Sequence, residues 1–172
     1  MQTVGHNEIY KGVSTNLYVD DVITDAGKAT RREVVERPNA VVVLALENDG
    51  EFWVVRQDRY PTKQYLWELP AGKIEGSEDP INCAKRELAE EIGKKAMIWT
   101  PLGSWYQSPG YSTELMYGFV ATGLEDTEQP EADDTGEIEK KLITSSVAFF
   151  TVYDAKSLVT LFLAGKLGYG CI

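Results

Sequence analysis

The sequence predicts an α/β sandwich around a mixed, largely antiparallel sheet. Three observations carry this: short strand-like runs bounded by turn residues, two separated amphipathic helical patterns, and one long apolar run fit for a buried strand. The 172-residue chain shows no internal repeat and no linker. It therefore reads as one domain over 1–172, with a β extension over 1–37 and a core over 38–172.

Residues 16–37 read as two strands, "NLYVDDVI" and "TRREVVER", around the turn "TDAGK". "AVVVLALEN" and "EFWVVRQDRY" flank Asp49-Gly50, a strong hairpin signal. The unbroken apolar run 40–46 predicts a strand buried on both faces. "LWELPAGK" ends in Pro70-Ala71-Gly72, where the backbone is expected to turn. A helix follows, with Asp79 as N-cap, Pro80 at its first position and Gly93 as its stop. Further strands are expected around 96–105 and 115–121, a polar loop over 123–141, and a last helix over 151–165.

Composition narrows the chemistry. A net charge of −10 argues against a nucleic-acid or membrane-surface binder working through basic patches, and leaves anionic small molecules bridged by divalent cations. His6 is the one histidine, which argues against Ser-His, Cys-His and histidine-zinc chemistry. Cys83 and Cys171 make no metal-binding spacing and suit a reduced protein. No apolar run approaches the ~20 residues of a membrane span, and "MQTVGHNEIYKG" lacks the features of a signal peptide, so a cytoplasmic protein is expected.

The segment "GKIEGSEDPINCAKRELAEEIG" (72–93) concentrates acids. On a helix, Ile81, Ala84, Leu88 and Ile92 form the core stripe, falling within roughly 80° of one another at about 100° per residue. Glu87 and Glu91 stack one turn apart on its flank, while Glu90 points toward Arg86, its i,i+4 partner. Acid clusters on helices are usually solvated faces. Here the helix follows a strand ending in "LPAG", and two carboxylates beside a buried face repel one another unless a cation sits between them.

This segment resembles the Nudix box, G-x5-E-x7-R-E-U-x-E-E-x-G-U, where U is a bulky aliphatic. Gly72, Glu78, Arg86, Glu87, Leu88, Glu90, Glu91 and Gly93 match, and only Lys94 departs, standing where an aliphatic is usual. The resemblance implies a Nudix-type α/β/α sandwich and hydrolysis of a nucleoside diphosphate linked to another group, with two or more Mg²⁺ or Mn²⁺ ions. It makes Glu87, Glu90, Glu91 and the Ala71 carbonyl metal ligands, with Arg86 orienting the carboxylates.

The flanks, "RQDRYPTKQYLWELPAGKIEG" and "SPGYSTE" (108–114), are similar to the ADP-ribose pyrophosphatase and nucleotide-sugar hydrolase branch, over roughly 15–167. That likeness assigns Arg59 to the diphosphate, Glu68 to substrate or Arg59, Arg37 to the same anion, Gly110 to a close approach of the chain, Glu114 to the terminal sugar and Tyr18 to base stacking. The four tryptophans read as packing residues. The general base is expected at Glu137 in a loop, with Asp134 and Glu139 as alternatives. The branch further implies a homodimer formed through the N-terminal strands. ADP-ribose is the first expected substrate, with GDP-mannose, another nucleotide sugar or another dinucleotide-type substrate next. A non-catalytic nucleotide-sugar sensor of the same fold is disfavoured, because such domains tend to lose the box carboxylates and all three are present.

Overall fold

The computed structural model describes residues 1–48, 50–128 and 138–170, which form two compact units. The first unit comprises residues 1–39 and 105–115. Its sheet has the order β1 (Gln2–Lys11), β2 (Asn16–Ile23), β3 (Ala29–Glu36), antiparallel throughout. The β2–β3 turn closes as expected: Gly27 takes φ 74°, which glycine adopts without steric penalty. Strand β1 was not legible in the sequence. Its residues are almost all exposed and do not alternate, so pairing with β2 rather than burial holds it. Residues 111–113 add to β3 through Val35 N–H to the Tyr111 carbonyl (2.7 Å) and Thr113 N–H to the Val35 carbonyl (3.1 Å).

The second unit comprises residues 40–104 and 116–172. Strands β4 (Ala40–Asn48), β5 (Glu51–Arg59), β6 (Gln64–Glu68), β7 (Ala71–Lys73), β8 (Lys94–Tyr106), β9 (Leu115–Asp126) and β10 (Glu139–Thr144) form one seven-stranded sheet. Its main order is β10-β5-β4-β9-β8, with β6 on β5 and β7 on β4. The β4–β9 pair is parallel, whereas β4–β5, β5–β6, β5–β10 and β4–β7 are antiparallel. Every residue of β4 from Ala40 to Leu46 is buried. Val41, Val43 and Ala45 join Cys83, Ala84, Leu88 and Ile92 of α1 (Pro80–Ile92) in the core, and α3 (Ala155–Lys166) also packs against β4. The apolar run is therefore the middle of a layered α/β structure, as its lack of alternation implied.

Helix α1 begins where Asp79 accepts from Ile81 N–H (3.0 Å) and ends where Gly93, at φ 68°, donates to the Ala89 carbonyl (2.9 Å). Lys94 then opens β8 and pairs with Asp126 (3.0 Å) and Glu47 (3.5 Å), which accounts for a charge where an aliphatic is usual. Two expectations need correction. The helix expected over 151–165 is divided: α2 (Ser145–Thr151) precedes it, and α3 starts only after Asp154, whose side chain accepts from Ser157 N–H. The polar stretch 123–141 is not all loop either, since β9 runs to Asp126 and β10 starts at Glu139.

Candidate active site

Arg86, on the flank of α1, gathers the acids of the segment. Its Nε and Nη2 donate to the two oxygens of Glu78 (3.2 and 3.1 Å), and its Nη1 donates to both Glu87 (2.8 Å) and Glu90 (3.0 Å). Nη2 also reaches the Lys73 carbonyl (3.1 Å), tying α1 to β7. The fork to Glu78 holds that carboxyl below its usual range.

Gly72 shows why this arrangement needs a glycine. It lies within β7, paired with Val41, rather than in a left-handed turn. A Cβ built on it would fall inside the Glu87 carboxylate. Glu87 thus occupies the space of the missing side chain, buried against β7. Burial pushes its carboxyl up, and the adjacent Arg86 charge acts against that rise.

Glu91, one turn on, is turned the other way. Its Oε1 accepts from Gln57 Nε2 (2.5 Å) and its Oε2 from Ala71 N–H (2.9 Å). Burial dominates, with the charge of Glu87 adding to it, and the Glu91 carboxyl is pushed up to about 8. Among the described residues no three His, Cys, Asp or Glu side chains already converge as a metal cluster; Arg86 holds Glu87 and Glu90, while Gln57 and Ala71 hold Glu91. The donor set still fits a divalent cation. It consists of oxygens alone, as hard ions prefer, and Glu87 and Glu91 repel each other at a position where burial disfavours charge. Cys83 contributes no reactivity, since burial pushes its thiol up to about 12.

Arg59, at the end of β5, donates through Nε and Nη2 to the two oxygens of Glu68 (2.7 and 2.6 Å). Glu68 is 2% exposed, and its Oε2 also accepts from Lys156 Nζ. Burial pushes Glu68 up, but hydrogen bonds from Arg59 and the charge of Lys156 outweigh it and hold the carboxyl below the usual range. Of the two roles expected for Glu68, the geometry is that of a group holding Arg59.

The other expected substrate residues lie in the first unit. Arg37 Nε donates to Glu114 (3.3 Å), and Arg37 lines a cavity of about 320 Å³ with Thr15, Asn16 and Glu36. Tyr18 donates to Glu36 (3.2 Å) and stacks on His6, with ring centroids 4.4 Å apart. A Cβ at Gly110 would meet nothing within 4 Å, so the fold does not require glycine there. Glu137 and Asp134 lie outside the described residues. Glu139 is exposed on β10 and pairs with Arg56 (2.8 Å). All four tryptophans are partly buried, consistent with packing.

A family model described as the NUDIX domain matches residues 36–160. The chain belongs to the Nudix family. It is 36% identical over 162 residues to an ADP-ribose pyrophosphatase of Bacillus subtilis, covering 91% of this chain and 88% of the relative. It is 32% identical to a methanol dehydrogenase activator of Bacillus methanolicus (92% and 89% covered) and 32% identical to a GDP-mannose pyrophosphatase of Yersinia pestis (83% and 73%). A crystal structure titled as an ADP compounds hydrolase superposes with a TM-score of 0.88 at 22% identity, covering 99% of this chain and 96% of that one, and establishes the likeness of fold.

Around the Nudix box, sequence reasoning missed Gln57, Asp154 and Lys156. Gln57 carried a usable signal, because it stands two residues before Arg59 on the same face of β5. Lys156 carried none, its partner Glu68 lying 88 positions away.

Proposed function

We propose that this Nudix chain is a divalent-metal-dependent pyrophosphohydrolase that cleaves ADP-ribose or a related nucleoside diphosphate sugar to a nucleoside monophosphate and a sugar phosphate. One observation carries the reading: the box acids Glu87 and Glu91 stand buried beside β7, Glu87 held by Arg86 and Glu91 by Gln57 and Ala71, with Arg59 as a forked cation at the end of β5. A sensing domain would have no use for that buried repulsion. Relatives named for hydrolysis of ADP-ribose and of GDP-mannose support the substrate class.

Glu87, Glu91 and Glu90, with the Ala71 carbonyl, are the residues assigned to Mg²⁺ or Mn²⁺. Bound there, such ions supply charge neutralisation and an activated water. The chain's own groups have separate tasks. Arg59 binds the diphosphate with its planar, permanently charged guanidinium. Arg86 keeps Glu87 and Glu90 oriented, and Gln57 with Ala71 N–H does the same for Glu91. Glu137 is assigned as the general base, while Arg37, Glu114, Gly110 and Tyr18 are assigned to substrate recognition.

The test is a panel of ADP-ribose, GDP-mannose, other nucleoside diphosphate sugars and dinucleotides, with Mg²⁺ or Mn²⁺, scored by nucleotide released. AMP from ADP-ribose is the expected result; no turnover of any member would reject the reading. No helix among the described residues is long and apolar enough to cross a membrane, and we assign the protein to the cytoplasm. We also assign a homodimer through the extension, because β1 is an edge strand exposing Val4, Ile9 and Tyr10. A monomer in sedimentation at micromolar concentration would refute that assignment.

A further inference from the structure

We infer that Lys156 is a positioning residue for the substrate diphosphate: acting through Glu68, it fixes the Arg59 guanidinium that receives the anion. The inference rests on the diphosphate reading above and adds to it a group outside the Nudix box.

Four charged side chains form one cluster in the second unit. Arg59 comes from the end of β5, Glu68 from the end of β6, Asp154 from the N-cap of α3 and Lys156 from its first turn. Lys156 Nζ donates to Glu68 Oε2 and to Asp154 Oδ1, the latter at 2.8 Å. Exposure is graded. Glu68 is 2% exposed, Asp154 and Lys156 are 14%, and Arg59 is 37%. The cluster thus reaches solvent through Arg59.

Two features make this a holder for an anion-binding group. Glu68 fills Nε and Nη2 of Arg59, and Nη1 has no hydrogen bond among the described residues, leaving it for an oxyanion. Charge is also balanced across the cluster. With Arg59 as its sole partner, Glu68 would neutralise that guanidinium; Lys156 takes one share of the carboxylate, so Arg59 keeps charge for a ligand.

The carrier is rigid. Leu69 N–H donates to Ser157 Oγ (2.9 Å), and Val152 bridges Trp67, so the chain on both sides of Lys156 is fastened to the end of β6. Replacing Lys156 leaves Glu68 buried with Arg59 as its one cationic partner, so the carboxylate neutralises more of the Arg59 charge.

The experiment is Lys156→Met, assayed with ADP-ribose and Mg²⁺, together with calorimetric binding of ADP in Ca²⁺. The Michaelis constant is expected to rise about tenfold, with kcat changing by less than about threefold, and ADP affinity to weaken in parallel. In an Arg59→Ala background, Lys156→Met should change the Michaelis constant no further, because it acts through Arg59. An unchanged Michaelis constant, or losses that add in the double variant, would overturn the inference. Should Lys156→Met fail to fold, Lys156→Gln keeps a donor without the charge and is expected to show the same changes at smaller size. If the unmodified chain turns over no nucleoside diphosphate sugar, the proposed function fails and the ADP titration decides alone. Weaker binding by the variant then supports the role of Lys156, and equal or absent binding by both proteins overturns it.

Discussion

Gly72 is a glycine because the Glu87 carboxylate fills the volume its side chain would need. The residue was legible as a motif position, but its reason was not, since it depends on a side chain fifteen positions later in another element. Gly72→Ala must displace Glu87, so hydrolysis should fall by about 10–100-fold, the range seen when support of a metal ligand is lost. Activity within twofold of the unmodified chain would show that Glu87 is free to move. Glu91 gives a pH-dependent outcome. Its folded-state value, about 8, lies above the ordinary 4.5, so the folded state holds its proton more tightly than the unfolded chain does. The stability this contributes is fully present below pH 4.5 and is lost as pH rises toward and through 8. Metal-free protein should therefore lose stability in urea between pH 5 and 8, and Glu91→Gln, which cannot ionise, should flatten that slope. A wild-type profile as flat as the variant's would contradict the assignment.

At the scale of elements, legibility followed locality. Helix α1 could be read because its caps and its apolar stripe lie within fifteen residues, and β4 because its apolar run is unbroken. Cys83 joins the buried face of that helix, and Ile81, partly buried, packs against the same core. Strand β1 could not be read, because an exposed strand held only by pairing carries no alternation. The start of α3 was placed too early for a related reason. The apolar pattern runs through 151–165, while the true boundary is the capping geometry of Asp154. Capping also supplies a prediction for α1. Asp79→Ala removes the acceptor for Ile81 N–H and should cost about 1 kcal/mol in urea unfolding, with the folded fraction retaining its activity. No loss of stability would mean that the cap hydrogen bond contributes nothing net.

For the molecule as a whole, the sequence disclosed the box and its family, while the structure disclosed how the box acids are divided. Arg86 gathers Glu78, Glu87 and Glu90, and Glu91 is held apart by Gln57 and Ala71. The cluster reaching solvent at Arg59 depends on α3, an element far from the box in sequence, which is why only Arg59 and Glu68 of its four members were foreseen. The central claim is that the buried, mutually repelling Glu87 and Glu91 constitute a divalent-cation site. A Mn²⁺ titration followed by electron paramagnetic resonance tests it most directly, on the unmodified chain and on folded Glu91→Gln. The unmodified chain should bind Mn²⁺ and the variant should bind it at least roughly tenfold more weakly; equal affinity in the two proteins would contradict the claim.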